Sequence, residues 1–346
     1  MNDHHKTFIA FVKLGEFLSD FCQSKSKNDP WFEKLDAAID LARQKNGWFT
    51  RDNVLFALSG WADLLTEEKL NLWLSEYDLK QNRHKTVALI MAGNIPLVGF
   101  HDFISVLLTG NKVLAKLSSN DDVLISFIRD YLIHLEPELQ KSIVFEKGQL
   151  SEFDAVIATG SNNTSRYFEH YFGKGPHIIR KNRNSIAVLS GEETTAQLKA
   201  LGEDIFRYYG LGCRSVSKIF VPKGYDFDQL FKALYSYNEI IHQNKYANNY
   251  DYNKAVYLMS EFKILDNGFI ILKQDETYAS PIASLFYEFY EDLEVLKMKL
   301  KEESDQLQCI VSKGIIKNEV AFGETQRPGL SDYADNVDTV DFLLKT

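Results

Sequence analysis

Cys213 lies in the run GLGCRSVSKIFVP, in a glycine-framed turn between a helical pattern and a strand. Gly210 and Gly212 let the backbone take positive φ or pass close to a ligand, which a bulky side chain forbids. Arg214 beside the sulfur favours the thiolate, the form of cysteine that attacks carbon. The competing reading is a small apolar residue of a core, and for Cys213 taken alone that reading is the better one. Asn94, before Ile95-Pro96, reads by itself as a turn residue. The eight histidines form no HExxH or paired ligand spacing, so no metal site is expected. His177 leads toward Arg180, but a satisfied core histidine is the simpler reading. Cys309 in a strand pattern and Cys22 in a helical pattern read as packing residues.

The elements that must position these residues fall into two textures. Residues 1–80 read as helices: Phe8, Phe11, Val12, Leu14, Phe17 and Leu18 form an apolar stripe, and 31–42 repeats it. Thr66 is placed as an N-cap before Glu67-Glu68. From residue 85 strands and helices alternate. A strand at 86–91 is followed by the Gly93–Pro96 turn and a helix over 97–108 closed by Gly110-Asn111. The strand 113–117 leads to Ser119, which with Asp122 caps a long helix. Short strands follow at 143–145 and 155–158, and Thr159-Gly160-Ser161 opens another helix. After residue 184 come a strand at 186–189, a helix at 195–209, the Cys213 turn and a strand at 216–221. Helices at about 226–241 and 250–262, strands near 269–273 and 282–289, a helix at about 292–304 and a strand at 307–311 complete this unit. The last residues, FGETQRPGLSDYADNV, are polar and turn-rich.

Such alternation predicts a parallel sheet covered by helices, with ligands at the carboxyl ends of the strands. The turns at Asn94, 116–119 and Gly160-Ser161 all fall at those ends. The 346 residues suggest about two domains. A net charge of −9 without a Lys/Arg block argues against nucleic-acid binding. Three widely spaced cysteines fit a reducing cytoplasm. The longest uncharged run, 86–100, is shorter than the roughly 20 residues of a membrane span, so no membrane association is expected.

Four motifs in order carry a resemblance. GNIPLVGFHDFISVLLTGNKVLAKLSS resembles the Asn-x-Pro turn, helix and Gly-Asn-x-Val-x-x-Lys strand of the aldehyde dehydrogenase superfamily. ATGS resembles its Thr-Gly-Ser turn, and GLGCRSVSKIFVP its nucleophile segment. The tail QRPGLSDYADNVDTVDFL is similar to the acyl-CoA reductases of bacterial luminescence and their relatives, the LuxC family. The resemblance runs from about residue 83 to the end. It implies an α/β, aldehyde-dehydrogenase-like fold, and the helical N-terminal region at 1–82, which carries none of its motifs, is expected to pack on the cofactor domain. A Rossmann-type cofactor domain at 83–183, a catalytic α/β domain at 184–313, and a segment at 314–346 returning to the cofactor domain or interface complete the expected layout.

The resemblance implies Cys213 as the nucleophile and Asn94 as an oxyanion donor together with the cysteine's own N–H. It implies cofactor contacts at Lys116, Ser119, Thr159, Gly160 and Ser161. NAD-preferring relatives usually carry a glutamate where this chain has Ser119, so NADPH is the expected cofactor. The carboxylate that usually holds the nicotinamide ribose aligns near Thr277, with Glu276 adjacent. The glutamate that activates water in aldehyde oxidisers falls near Arg180, where no carboxylate stands, so the acyl-enzyme should meet hydride or a thiol rather than water. The expected reaction is NADPH-dependent reduction of a fatty acyl-CoA to the aldehyde. The alternatives are an NAD(P)-dependent aldehyde dehydrogenase and a catalytically silent subunit of an acyl-transfer or reductase complex. Acyl-CoA is the expected small-molecule partner. A homo-oligomer, or a complex with an acyl-activating or acyl-transferring protein, is expected from the relatives.

Overall fold

A computed structural model describes residues 3–24, 29–79 and 84–346. The chain divides into two compact units, Met1–Asn182 with Gly329–Thr346, and Arg183–Pro328. The expected domain start at 83 lies outside the described residues. Of the C-terminal segment expected to return to the first unit from 314, residues up to Pro328 belong to the second.

In the first unit, five short strands form one parallel sheet: β1 (Thr86–Ile90), β2 (Lys112–Lys116), β3 (Ile143–Phe145), β4 (Ala155–Thr159) and β5 (His177–Arg180). Their order is β3-β2-β1-β4-β5, and all pairs are parallel. The strands read as apolar runs because helices cover both faces, as a buried parallel sheet requires. The order reverses between β1 and β4, which opens a crevice outside their carboxyl ends. Helix α5 (Phe100–Leu108) follows β1 and α6 (Val123–Leu135) follows β2, while α7 (Asn162–Phe172) connects β4 to β5.

The first helices, α1 (Asp3–Cys22), α2 (Pro30–Lys45), α3 (Arg51–Leu64) and α4 (Glu67–Leu74), share one apolar core with α5, α6 and the sheet. Phe17 stacks on Tyr131 at 4.2 Å and Trp61 meets Phe100 edge-on at 4.8 Å. Such aromatic pairs add to the burial of 150–250 Å² typical of each ring. Thr66 caps α4 by accepting from the Lys69 N–H, as the sequence predicts. The α6 expectation needs correction. That helix begins at Val123 with Asp122 at the N-cap and no side-chain cap bond, and Ser119 lies exposed in the preceding loop. The helix after the Asn94 turn starts at Phe100 rather than 97, because Leu97 takes φ 57°.

The second unit is a six-stranded sheet of order β11-β6-β7-β10-β9-β8, formed by β6 (Asn184–Val188), β7 (Val216–Pro222), β8 (Ile264–Asp266), β9 (Ile271–Gln274), β10 (Ser284–Tyr290) and β11 (Leu307–Val311). All pairs are parallel except β8 with β9. The short edge strand β8 carries no sequence signal strong enough to predict it. Helix α8 (Thr195–Phe206) opens on a capping box between Thr194 and Gln197. It stops three residues before the expected end, because Tyr208 and Tyr209 take φ 55° and 59°. Helices α9 (Phe227–Leu234), α10 (Asn244–Met259) and α11 (Leu293–Glu302) flank the sheet. Finally, α12 (Thr339–Lys345) lies in the first unit against α5.

Candidate active site

In the first unit the residues expected to contact a cofactor stand at strand ends around the point between β1 and β4 where the strand order reverses. Asn94 is exposed on the turn after β1, and Gly93 beneath it is buried. A Cβ on Gly93 would fall 2.6 Å from the Ser118 hydroxyl and 3.1 Å from the Asp121 N–H, so only glycine lets these two turns meet. Lys116 ends β2 and is exposed, as is Ser119. Thr159 ends β4, and Ser161 caps α7 by accepting from the Thr164 N–H at 3.2 Å. A Cβ on Gly160 would approach Thr164 and Phe168 to 3.0 Å. A helix N-terminus, two turns kept lean by glycine and a terminal lysine are a donor set that fits a dinucleotide phosphate and ribose. The structure thus gathers Asn94, Lys116, Ser119 and 159–161 on one edge of one sheet.

Asp121 supports that edge. Its Oδ2 accepts the Leu97 N–H at 2.7 Å, holding the left-handed residue that turns the chain from Asn94 into α5. The carboxyl is buried, and its other oxygen has no hydrogen-bond partner among the described residues. Burial pushes it up to about 7, against the opposing Leu97 N–H and with a further rise from Asp122.

Arg180, where the resemblance puts the water-activating glutamate of aldehyde oxidisers, is buried at the end of β5. Its guanidinium pairs with the buried Asp102 of α5 and donates to the Thr339 hydroxyl at 3.1 Å. It therefore joins the sheet to α5 and α12. His101 is half-buried beside this pair and bonds the Leu330 carbonyl through Nε2 at 2.8 Å. His177 is exposed and bonds its own turn at Gly175.

In the second unit Cys213 is exposed, whereas Cys309 is buried and Cys22 half-buried. The core reading of Cys213 is thereby excluded. Its turn begins with three successive left-handed residues, Tyr208, Tyr209 and Gly210 at φ 55°, 59° and 76°. Left-handed backbone at two tyrosines is costly, about 1–2 kcal/mol each, and persists only where the surroundings fix it. Polar side chains that the sequence reading passed over hold the rest of the turn. The Ser185 hydroxyl donates to the Cys213 carbonyl at 2.9 Å and accepts the Cys309 N–H at 3.1 Å. Arg214 donates through Nε to the Thr325 carbonyl at 2.6 Å, and Gln326 donates to the Ser215 hydroxyl at 3.3 Å. Asp204 of α8, fully buried, accepts from the N–H groups of Gly323 and Thr325 and from the Thr325 hydroxyl at 2.7–3.0 Å. Burial pushes its carboxyl up to about 6, with these three donors opposing. A polar residue at an apolar position of a helix or strand, as at Asp204 and Ser185, is the signal that could have marked them.

Glu276 and Thr277 are both exposed on the turn after β9, so neither is excluded. Asp275 accepts the Thr277 N–H at 2.9 Å, and the Ser217 hydroxyl donates to the Tyr278 carbonyl at 2.7 Å. Lys218, whose ammonium is enclosed in the sheet, donates to the Glu276 carbonyl at 2.8 Å and pairs with Glu288 at 2.6 Å. Burial lowers its pKa against the pull of Glu288. This turn is thus fastened to β7, the strand that leaves the Cys213 turn. Among the described residues no group of three or more metal-ligating side chains occurs, and no helix is long and apolar enough to cross a membrane.

Comparison with known proteins gives the family and the fold. The model of the family described as "Acyl-CoA reductase (LuxC)" matches residues 66–268. No curated protein matches the sequence at a significant level. Among solved structures, aldehyde dehydrogenase 21 from Physcomitrella patens, in complex with the reaction product succinate, has a TM-score of 0.67 at 11% identity, covering 100% of this chain and 84% of its own. The NAD+ complex of an aldehyde dehydrogenase from Bacillus cereus has 0.61 at 11% identity, with 90% and 72% covered. The NAD-bound Δ-pyrroline-5-carboxylate dehydrogenase from Mycobacterium tuberculosis has 0.58 at 15% identity, with 93% and 69% covered. The shared fold is therefore that of aldehyde dehydrogenases, with a Rossmann-type unit.

Proposed function

The chain belongs to the acyl-CoA reductase (LuxC) family, and from that premise we propose that it reduces a fatty acyl-CoA thioester to the aldehyde with NADPH. The observation that carries this reading is the exposed Cys213 on a turn of three left-handed residues. Its thiolate attacks the thioester carbonyl carbon, giving a tetrahedral oxyanion that collapses by breaking the bond to the sulfur of coenzyme A. Coenzyme A leaves as a thiolate and takes a proton from solvent, and the acyl group stays on Cys213. The Cys213 N–H and the Asn94 amide are the proposed donors to the oxyanion, where losing one donor typically costs ~10²–10³ in rate.

When bound, the nicotinamide supplies the hydride that converts the acyl-enzyme to aldehyde and frees Cys213. Lys116, Thr159, Gly160 and Ser161 would hold it, with Glu276 or Thr277 toward the nicotinamide ribose. Ser119 offers a neutral hydroxyl where a carboxylate would repel a 2′-phosphate, which supports NADPH. Arg180 is committed to Asp102 and cannot act as a base toward water, which supports reduction over aldehyde oxidation.

The test is to mix the protein with acyl-CoA of graded chain length and NADPH, following loss of nicotinamide absorbance and release of free thiol. Turnover in both signals, abolished by Cys213→Ala, is expected. Absence of turnover at every chain length, or full activity in the variant, overturns the reading. NAD(P)-dependent oxidation of free aldehyde as the main activity would favour the dehydrogenase alternative.

A further inference from the structure

The segment 322–326 is a strap across the nucleophile turn. Phe322 packs against the core beneath the sheet, and Gly323 passes α8 so closely that an added Cβ would lie 3.2 Å from the Ala200 side chain, at φ 87°. The strap then holds both residues that follow Cys213. The Thr325 carbonyl receives Arg214, and Gln326 reaches Ser215. What fixes the strap is Asp204: its two oxygens take the Gly323 N–H at 2.7 Å, the Thr325 N–H at 3.0 Å and the Thr325 hydroxyl at 2.8 Å. Asp204 and Thr325 are both fully buried, so these bonds have no water to replace them.

We propose that Asp204 is a positioning residue for the nucleophile: through Gly323 and Thr325 it sets the turn from which Cys213 attacks. This rests on the reading of Cys213 as the nucleophile. A buried carboxylate with three convergent donors is a stiff support, stronger than neutral hydrogen bonds of the same number. The same turn begins with left-handed backbone at Tyr208 and Tyr209, a conformation that costs free energy and persists only where the fold holds it. Asp204 does not touch the reacting atoms in this scheme; it acts through Thr325 and Arg214.

The test uses the full chain with Asp204→Asn, Thr325→Val and Thr325→Ser. Asparagine keeps the volume of Asp204 but turns an amide donor toward the Gly323 N–H. Valine keeps the shape of Thr325 without its hydroxyl, and serine restores the hydroxyl. Two rates are read: single-turnover release of coenzyme A, and iodoacetamide alkylation of Cys213 followed by peptide mapping. Asp204→Asn should slow acylation by about 10–100-fold, from the loss of charge-assisted bonds, with the KM for NADPH unchanged and alkylation slowed in parallel. Thr325→Val should fall between, and Thr325→Ser should return to wild-type rates.

Wild-type acylation and alkylation in Asp204→Asn would overturn the proposal, as would equal losses in the valine and serine variants. If Asp204→Asn gives no cooperative melt, the valine and serine pair decides by the same criterion. If the wild-type protein releases no coenzyme A, the proposed function fails on its own. The alkylation rates then still decide the strap: slower alkylation in Thr325→Val than in Thr325→Ser supports it, and equal rates overturn it.

Discussion

The Ser185 hydroxyl donates to the Cys213 carbonyl at 2.9 Å while accepting the Cys309 N–H at 3.1 Å. One hydroxyl on β6 thus joins the Cys213 turn to β11, the strand on its other side. Ser185 is fully buried, so removing it leaves the buried Cys309 N–H without this acceptor. Ser185→Ala should lower unfolding free energy by about 1–3 kcal/mol and slow acylation. Urea melts and coenzyme A bursts measure the two; a stability loss with unchanged acylation would confine the hydroxyl to folding.

Ser119 is exposed at the loop after β2, with no capping role at α6. Its hydroxyl is therefore available for the proposed contact with the cofactor. Ser119→Glu should shift the ratio of kcat/KM values toward NADH by about tenfold or more, the effect of placing like charges close together. Parallel assays with the two cofactors report it. An unchanged ratio would move the choice of cofactor elsewhere.

Arg180 and Asp102 form a buried pair, each about 6% exposed. Removing one partner strands the other charge, which typically costs about 3–5 kcal/mol. Arg180→Met should reach that cost in a denaturant melt, while Arg180→Met with Asp102→Leu should recover much of it. A single variant as stable as wild type would show that the pair carries no such constraint.

Asp121 sets a pH dependence. Its carboxyl is raised to about 7 from an ordinary value near 4, so the folded protein holds this proton more tightly than the unfolded chain. Its contribution to stability is therefore complete below about pH 4 and is lost as pH rises through about 7. Asp121→Asn keeps an acceptor for the Leu97 N–H and cannot ionise. Its stability relative to wild type should grow by on the order of 2–4 kcal/mol between pH 5 and pH 8. Melts across that range test it, and a constant difference would remove Asp121 as the source.

The sequence alone determined the strand–helix alternation, the turns at strand ends and the candidate nucleophile. These rest on local features: apolar periodicity, glycine and proline in turns, and motifs in fixed order along the chain. Thr66 as a cap and the strand 143–145 were legible for the same reason. Tertiary structure alone decided that Cys213 is exposed, that Arg180 is spent on Asp102, and that Asp204 reaches a strap 121 residues away. It also ended α8 early at Tyr208 and moved the α6 cap to Asp122. A lone buried carboxylate or serine has no period, and its partners become neighbours only when distant segments fold together. Side-chain pairing over that separation leaves no pattern in sequence, and it is this pairing that holds the turn carrying Cys213.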